Sequence, residues 1–296
     1  MQDSLSAGWT TLGHIESPYL QKNGTPRQPG IAPAASARLR LTWGTSPQDA
    51  LADIEHFSHL WLLWIFDKND NKALKNKAKP PRLGGAATGV FACRTPHRPN
   101  PIGLSLVALK ARDGDTLLLE GVDLVDGTPI IDIKPYIPFA DAWPDPSTVR
   151  TAYWVPNPST LSEANRVGDS PNEATHFGQH VGDLQVVFSS TAVDELRKIC
   201  CDSSKSLSRS ATCRVHARTL RFFRNDPERA QAAFSQALAS DTRSIYRKEK
   251  CKGELYRMNL DGIDAICEFV GQTVNVLNVE LIGDPCVVVA TSPNEN

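Results

Sequence analysis

Apolar and polar positions alternate through much of the first half of the chain. Residues 37–43 set Leu39 and Leu41 between Arg38, Arg40 and Thr42, the period-two pattern of a half-buried strand. Residues 9–17 predict a strand that stops at Pro18, and residues 60–66 form an apolar run that predicts a fully buried one. Further strands are expected over 87–94, 104–111, 116–122 and 129–133. Residues 47–54 predict a short helix, with Ser46 as its N-cap and Pro47 in its first position, where proline's missing N–H costs nothing. Many short strands, few helices and Pro/Gly corners predict a compact β-barrel.

The pattern changes past residue 141. Pro144, Pro146, Pro156, Pro158 and Pro171 punctuate a polar stretch that reads as a linker. Within it, Tyr153-Trp154-Val155 is an apolar island able to dock on the barrel. A smaller unit follows: a strand at 185–188, helices at 191–201 and 227–239, and a meander of strands at 256–260, 265–270 and 275–281. Asp226 and Pro227 open the second helix, and Asp261-Gly262 and Gly271-Gln272 supply the meander's turns. The expected fold class is mainly β. A barrel domain spans 8–150, a linker 151–183, and a small α+β domain 184–283.

Composition narrows the class. The chain has 296 residues, of which 41% are hydrophobic and 22% charged, ordinary for a globular protein. Its longest apolar run is far too short to cross a bilayer, and no apolar signal region opens it. Seven cysteines without a Cys-x-x-Cys pair suit a reducing setting, cytosolic or nuclear, and a cytoplasmic location is expected. His176 and His180 have helical metal-ligand spacing but no third ligand and an intervening glycine, so no metal site is expected. The net charge is only −1, so nucleic-acid binding would need local patches. One is Lys68, Lys72, Lys75, Lys77, Lys79 and Arg82; the other is Arg243, Arg247, Lys248, Lys250 and Lys252. Each taken alone equally describes a solvated face.

Two proline-rich segments carry the chemistry. Arg94-Thr95-Pro96-His97-Arg98-Pro99-Asn100-Pro101-Ile102-Gly103 can be neither helix interior nor central strand. It is a stiff loop suited to aiming arginine forks at an anion. In Asp126-Gly127-Thr128-Pro129-Ile130-Ile131-Asp132-Ile133-Lys134-Pro135-Tyr136 a turn leads into a β-branched strand. Asp132 and Lys134, two apart, share a strand face. They form either a strand-end ion pair or part of a polar site.

These two segments resemble the signature of the TrmO (TsaA-like) family of S-adenosylmethionine-dependent tRNA methyltransferases. Gly13-His14-Ile15-Glu16-Ser17-Pro18-Tyr19, Pro26-Arg27-Gln28-Pro29-Gly30 and Phe57-Ser58-His59-Leu60-Trp61 add to the resemblance. So does Asp241-Thr242-Arg243-Ser244-Ile245-Tyr246-Arg247, with Thr242 where the family usually has proline. The likeness is dense over 13–141 and weaker from 186 onward.

The resemblance implies an antiparallel barrel, a methyl donor bound at its end and, as acceptor, the exocyclic nitrogen of threonylcarbamoyl-adenosine beside a tRNA anticodon. The absence of Gly-x-Gly-x-x-Gly agrees with a donor site that is not a Rossmann fold. Carried over by position, donor contacts fall on Pro26, Arg27, Gln28, Asp67, Lys68, Arg94 and Leu104; relatives often have histidine at the place of Asp67. The carbamoylated nitrogen is a poor nucleophile until its proton leaves, so a base is expected. Asp132, paired with Lys134, and His97 are the candidates; a loop-bracing hydrogen bond is the plain alternative for His97. Arg98 is expected to read the threonyl carboxylate. Asn100, Asp126, Tyr136, Arg243 and Tyr246 are expected on the RNA side, and the family implies a homodimer.

Overall fold

The computed structural model describes residues 8–69, 76–80, 83, 86–145, 148–150, 152, 184–201, 220–243 and 245–282. Six strands close an antiparallel barrel: β1 (Gly13–Glu16), β2 (Ser36–Leu41), β3 (His59–Ile65), β6 (Ile102–Asp113), β7 (Thr116–Glu120) and β8 (Pro129–Pro135), in the order β1-β2-β7-β6-β3-β8. Between β3 and β6, β4 (Lys77–Ala78) and β5 (Thr88–Gly89) form a two-stranded ribbon. Alternation places the interior: Ile15, Leu39, Leu60, Leu62, Val107, Leu117, Leu119 and Ile130 are buried, while Arg38, Arg40 and Leu118 face out.

Two expectations needed correction. The helix expected over 47–54 is only α1 (Pro47–Ala50). Asp53 adopts φ +64 and breaks it, a single 3-10 turn follows at Ile54–His56, and Ser46 makes no side-chain cap. The strand expected over 87–94 lasts only through β5 before a 3-10 turn at Val90–Ala92. Carbonyls that a ladder would have used, those of Val90 and Cys93, instead accept from Arg98 Nη1, each at 2.8 Å. The expected C-terminal meander forms, and the 185–188 strand joins its edge by pairing in parallel with the last strand.

After α2 (Pro138–Asp141), the C-terminal unit contains β9 (Gln185–Phe188), α3 (Ser190–Cys201), α4 (Pro227–Ala239), α5 (Ile245–Lys250), β10 (Tyr256–Leu260), β11 (Ile263–Val270) and β12 (Thr273–Leu281). The sheet order is β10-β11-β12-β9. Asp226 caps α4 by accepting from the N–H of Arg229 at 3.0 Å, as its position before Pro227 predicts. Ala230, Ala233, Phe234, Ala237 and Leu238 form the buried face of α4. The unit is bonded to the barrel: Arg229 pairs with Glu120 at 2.9 Å and donates to the Ala34 carbonyl at 2.8 Å, and Gln236 accepts from the N–H of Ala34 at 3.0 Å.

Lys72, Lys75, Arg82, Tyr153-Trp154-Val155, His176, His180, Cys213 and Cys286 lie outside the described residues, as does nearly all of the expected linker. Among the described residues Cys93, Cys200, Cys201, Cys251 and Cys267 are free thiols, and no helix is long and apolar enough to cross a membrane.

Candidate functional site

Barrel topology gathers the predicted residues. Neighbouring strands alternate in direction, so β1, β3 and β7 end where β2, β6 and β8 begin. Ile65 stands opposite Ile102, and Ser36 opposite Glu120. The loops 17–35, 66–101 and 121–128 therefore open at one end of the barrel. They carry Pro26, Arg27, Gln28, Asp67, Lys68, Arg94, His97, Arg98, Asn100 and Asp126.

Several of these side chains meet there. Arg94 Nη1 donates to Gln28 Oε1 at 2.5 Å. Lys68 Nζ donates to the Asp126 carbonyl at 2.5 Å, and the Lys68 carbonyl accepts from Lys22. Arg27 is exposed as a residue, but its guanidinium is tucked against the C-terminal unit and donates through Nη2 to the Thr242 carbonyl at 3.0 Å. Burial lowers its pKa, against the pull of Tyr256 and Asp241. Arg98 braces its own loop through Nη1 and lies over the ring of Phe91. Its Nε and Nη2 make no hydrogen bond among the described residues. His97 and Asn100 are exposed at the loop's tip.

One member went unpredicted. Trp64 Nε1 donates to Ser105 Oγ at 3.0 Å, and Ser105 Oγ donates to Asp123 Oδ1 at 2.5 Å. Burial pushes the Asp123 carboxyl up to about 6, against the Ser105 hydroxyl, a backbone N–H and the charge of Arg94. Behind it, the fully buried Tyr19 hydroxyl has no hydrogen-bond partner among the described residues. Burial, then the charge of Asp123, raises its pKa. The sequence offered one signal, a lone carboxylate between apolar Val122 and Leu124. That pattern is uncommon unless the group is paired.

A β-bulge sets the outer wall. Leu63 stands opposite Asp132 but Trp64 opposite Ile130, leaving Ile131 out of register. Paired residues share a face, and Leu62 and Trp64 are buried, so Leu63 and its partners point outward. Leu104, Leu63 and Asp132 form one outward row across β6, β3 and β8, and Leu106, Trp61 and Lys134 form the next. Leu104 is half-exposed, and Asp132 and Lys134 pair at 2.7 Å. Tyr136 is farther along the wall, its ring edge-on to Trp61 and His59. Four residues of strand put it roughly 13 Å from Asp132.

Asp126 and Arg243 are engaged within the chain. Asp126 Oδ1 accepts from the N–H of Ser17 at 3.0 Å and pairs with Arg221 at 2.9 Å. The Arg243 fork grips both Asp241 oxygens, at 2.8 and 3.0 Å, and its guanidinium lies 3.4 Å from the ring centroid of Phe269. Lys248 adds a third contact to Asp241 at 3.0 Å. Burial alone would raise the Asp241 pKa, but Arg243 and Lys248 outweigh it and lower it. Tyr246 projects into solvent beside this cluster.

The family model of the tRNA-methyltransferase O N-terminal domain matches residues 14–142. The chain is 48% identical over 141 residues to the tRNA (adenine(37)-N6)-methyltransferase of Escherichia coli K12, an alignment covering 46% of this chain and 60% of that one. Over 132 residues it is 39% identical to a protein of Pyrococcus abyssi described as a probable S-adenosyl-L-methionine-binding protein, covering 44% of this chain and 68% of that one. The crystal structure of TrmO from Pseudomonas aeruginosa superposes with a TM-score of 0.58 at 27% identity, covering 93% of this chain and 99% of that one. The chain thus spans less than two thirds of the E. coli methyltransferase and only 29% of the Homo sapiens one. The barrel, its loops and the C-terminal sheet together place the chain in the TrmO family.

Proposed function

We propose that this protein transfers a methyl group from S-adenosylmethionine to the N6 nitrogen of threonylcarbamoyl-adenosine at tRNA position 37, the position named for its E. coli relative. One observation carries the reading. The Arg94–Gln28 pair stands at the barrel end beside the charge of Asp123, and the Leu104–Asp132 row begins on the adjoining wall. Anion-binding forks, a part-buried carboxyl and an apolar edge are the elements a zwitterionic nucleoside needs.

The residues suit that donor chemically. Arg94 and Arg27 offer forks to a carboxylate. Asp123 offers an anion to an ammonium, Gln28 and Asp67 accept from ribose hydroxyls, and Leu104 packs against an adenine. Pro26 stiffens the segment that presents Arg27, and Lys68 anchors the facing loop. The unpartnered Tyr19 hydroxyl adds a buried polar group that feels the charge of Asp123. When bound, S-adenosylmethionine supplies the methyl group. The chain's own task is to hold donor and acceptor in line and to take one proton. Asp132, held by Lys134, is the better-placed base because it shares a row with Leu104. Exposed His97 is the second candidate.

Acceptor and RNA contacts fall to Arg98, Asn100 and Asp126 at the barrel end, to Tyr136 on the wall, and to Arg243 and Tyr246 in the C-terminal unit. Tyr246 is exposed and flanked by Arg247, Lys248 and Lys250, an arrangement suited to a stacked base and phosphates. In this reading the barrel domain covers 8–150, residues 151–183 link it to the RNA-contacting domain 184–283, and the protein works in the cytoplasm as a homodimer. The test is recombinant protein with S-adenosylmethionine and tRNA carrying threonylcarbamoyl-adenosine, followed by nucleoside mass spectrometry. A gain of one methyl on that nucleoside is expected. Donor binding without methylation would instead indicate a binding module or a different acceptor.

A further inference from the structure

The C-terminal unit reaches the barrel end through arginine contacts that converge on the donor loops. Arg221, between α3 and α4, donates through Nη2 to Asp126 Oδ1 at 2.9 Å and to the Ser17 carbonyl at 3.3 Å. Its own backbone is fixed as well. Asp261, in the β10–β11 turn, accepts from the N–H groups of Arg221, Phe222 and Phe223 at 3.1, 2.8 and 3.2 Å, and donates its N–H to the Pro18 carbonyl at 2.7 Å. The Asp126 loop is no remote part of the barrel. Its carbonyl is the acceptor for Lys68, and Asp123, three residues back, bonds Ser105 and feels the charge of Arg94. A second tie runs the opposite way, from Arg27 of the barrel to the Thr242 carbonyl of the C-terminal unit.

We infer that Arg221 is a positioning residue for the methyl donor: by holding Asp126 it fixes the 123–127 loop, and with it Asp123 and the Lys68 anchor, in donor-binding geometry. The inference rests on the donor site proposed above. Arg221 would not touch the donor; it acts through Asp126. Donor affinity is then partly a property of the C-terminal unit, although every donor contact belongs to the barrel. Lysine in place of Arg221 keeps the charge, but its shorter stem and flexible ammonium do not reproduce the placement of Nη2 by the planar guanidinium, so it restores the effect only in part.

The experiment uses the full chain and measures S-adenosylmethionine binding by calorimetry and steady-state KM and kcat for Arg221→Gln, Arg221→Lys, Asp126→Asn and the Arg221→Gln/Asp126→Asn double variant. Donor Kd and KM are expected to rise about tenfold in Arg221→Gln, the scale of one charge-assisted hydrogen bond. In the Arg221 variants saturating kcat stays within about twofold, Arg221→Lys falls between, and the donor Kd of the double variant is no worse than that of either single one, because both remove the same contact; kcat of the Asp126 variants is left out of the comparison because Asp126 is also placed on the acceptor side. Hydrogen exchange at residues 123–128 is expected to quicken in step. A lower melting temperature with unchanged donor Kd would make Arg221 a purely structural clamp and overturn the inference, as would additive effects in the double variant. Wild-type protein that binds no S-adenosylmethionine would instead overturn the donor site itself, and the inference with it.

Discussion

The indole of Trp64 lies so close over the backbone of Gly103 that a Cβ there would stand 2.2 Å from Trp64 Cε2. That contact explains why the proline loop ends in glycine, and it seats the ring whose Nε1 holds Ser105 against Asp123. Gly103→Ala forces the indole to move. Overpacking of this kind costs about 1–3 kcal/mol, read from urea unfolding. A donor affinity that falls alongside would show that the Trp64–Ser105–Asp123 chain shapes the pocket. Stability lost with affinity retained would confine the role of Gly103 to packing.

Arg94 and Gln28 join two loops that are distant in sequence through a hydrogen bond of 2.5 Å. The guanidinium can grip Gln28 and a donor carboxylate together; an ammonium is a point charge without that fork. Arg94→Lys is expected to weaken S-adenosylmethionine binding about tenfold, and Arg94→Ala by more, with Gln28→Ala the mildest. Calorimetry ranks the three. Equal losses in Arg94→Lys and Gln28→Ala would mean that the pair matters only as a loop tie.

The Asp132–Lys134 pair is part-exposed on both sides, and such pairs contribute about 0–1 kcal/mol. Asp132→Asn should therefore leave the melting temperature nearly unchanged. If Asp132 takes the proton from the acceptor nitrogen, kcat falls by about 10²–10⁴ while donor Kd holds. His97→Ala serves as the comparison. A larger kcat loss there than in Asp132→Asn would move the base to the loop tip.

Asp123 makes stability depend on pH in a definite direction. Its folded pKa of about 6 lies above the ordinary carboxylate value of about 3.9. Between these values the folded state binds the proton more tightly, so stability is greatest below about pH 4 and falls as pH rises to about 6. With the group part-buried, the swing is about 1–2 kcal/mol. Asp123→Asn should flatten this part of the curve and raise the melting temperature at pH 7. Donor affinity should move oppositely: in the wild type it declines below about pH 6 as the carboxyl is neutralised, and in Asp123→Asn it is weak throughout.

The barrel was legible because alternation forces it: Leu39 and Leu41 must share a face, and Leu60 and Leu62 likewise. The capping of α4 was legible because Asp226-Pro227 is a local signal. What escaped depends on contacts far apart in the chain. Arg98 took the carbonyls of Val90 and Cys93 and so ended a strand that local propensity favours. Asp123 joins the site only when Ser105 and Arg94 arrive from other strands and loops. Arg221 sits in a short segment without periodicity, and its partner Asp126 reads by itself as a turn residue. The proline loops were readable because proline restricts the backbone whatever surrounds it.

Lys250, on the same short helix as Tyr246, and Lys252 just past its end are exposed and form no ion pair among the described residues, whereas Lys248 is tied to Asp241. The two groups should behave differently toward RNA. Cations that neutralise phosphates release counterions, so each contributes about 0.7–0.9 to the slope of log affinity against log salt. Lys250→Gln and Lys252→Gln should each weaken tRNA binding at low salt and flatten that slope by about that amount, without changing the melting temperature. Lys248→Gln should lower the melting temperature instead, because it loosens the Asp241–Arg243 turn whose Thr242 carbonyl holds Arg27. Filter binding across a salt series, with unfolding curves alongside, separates these outcomes. A slope that none of the lysine variants changes would place the RNA on another face of the molecule.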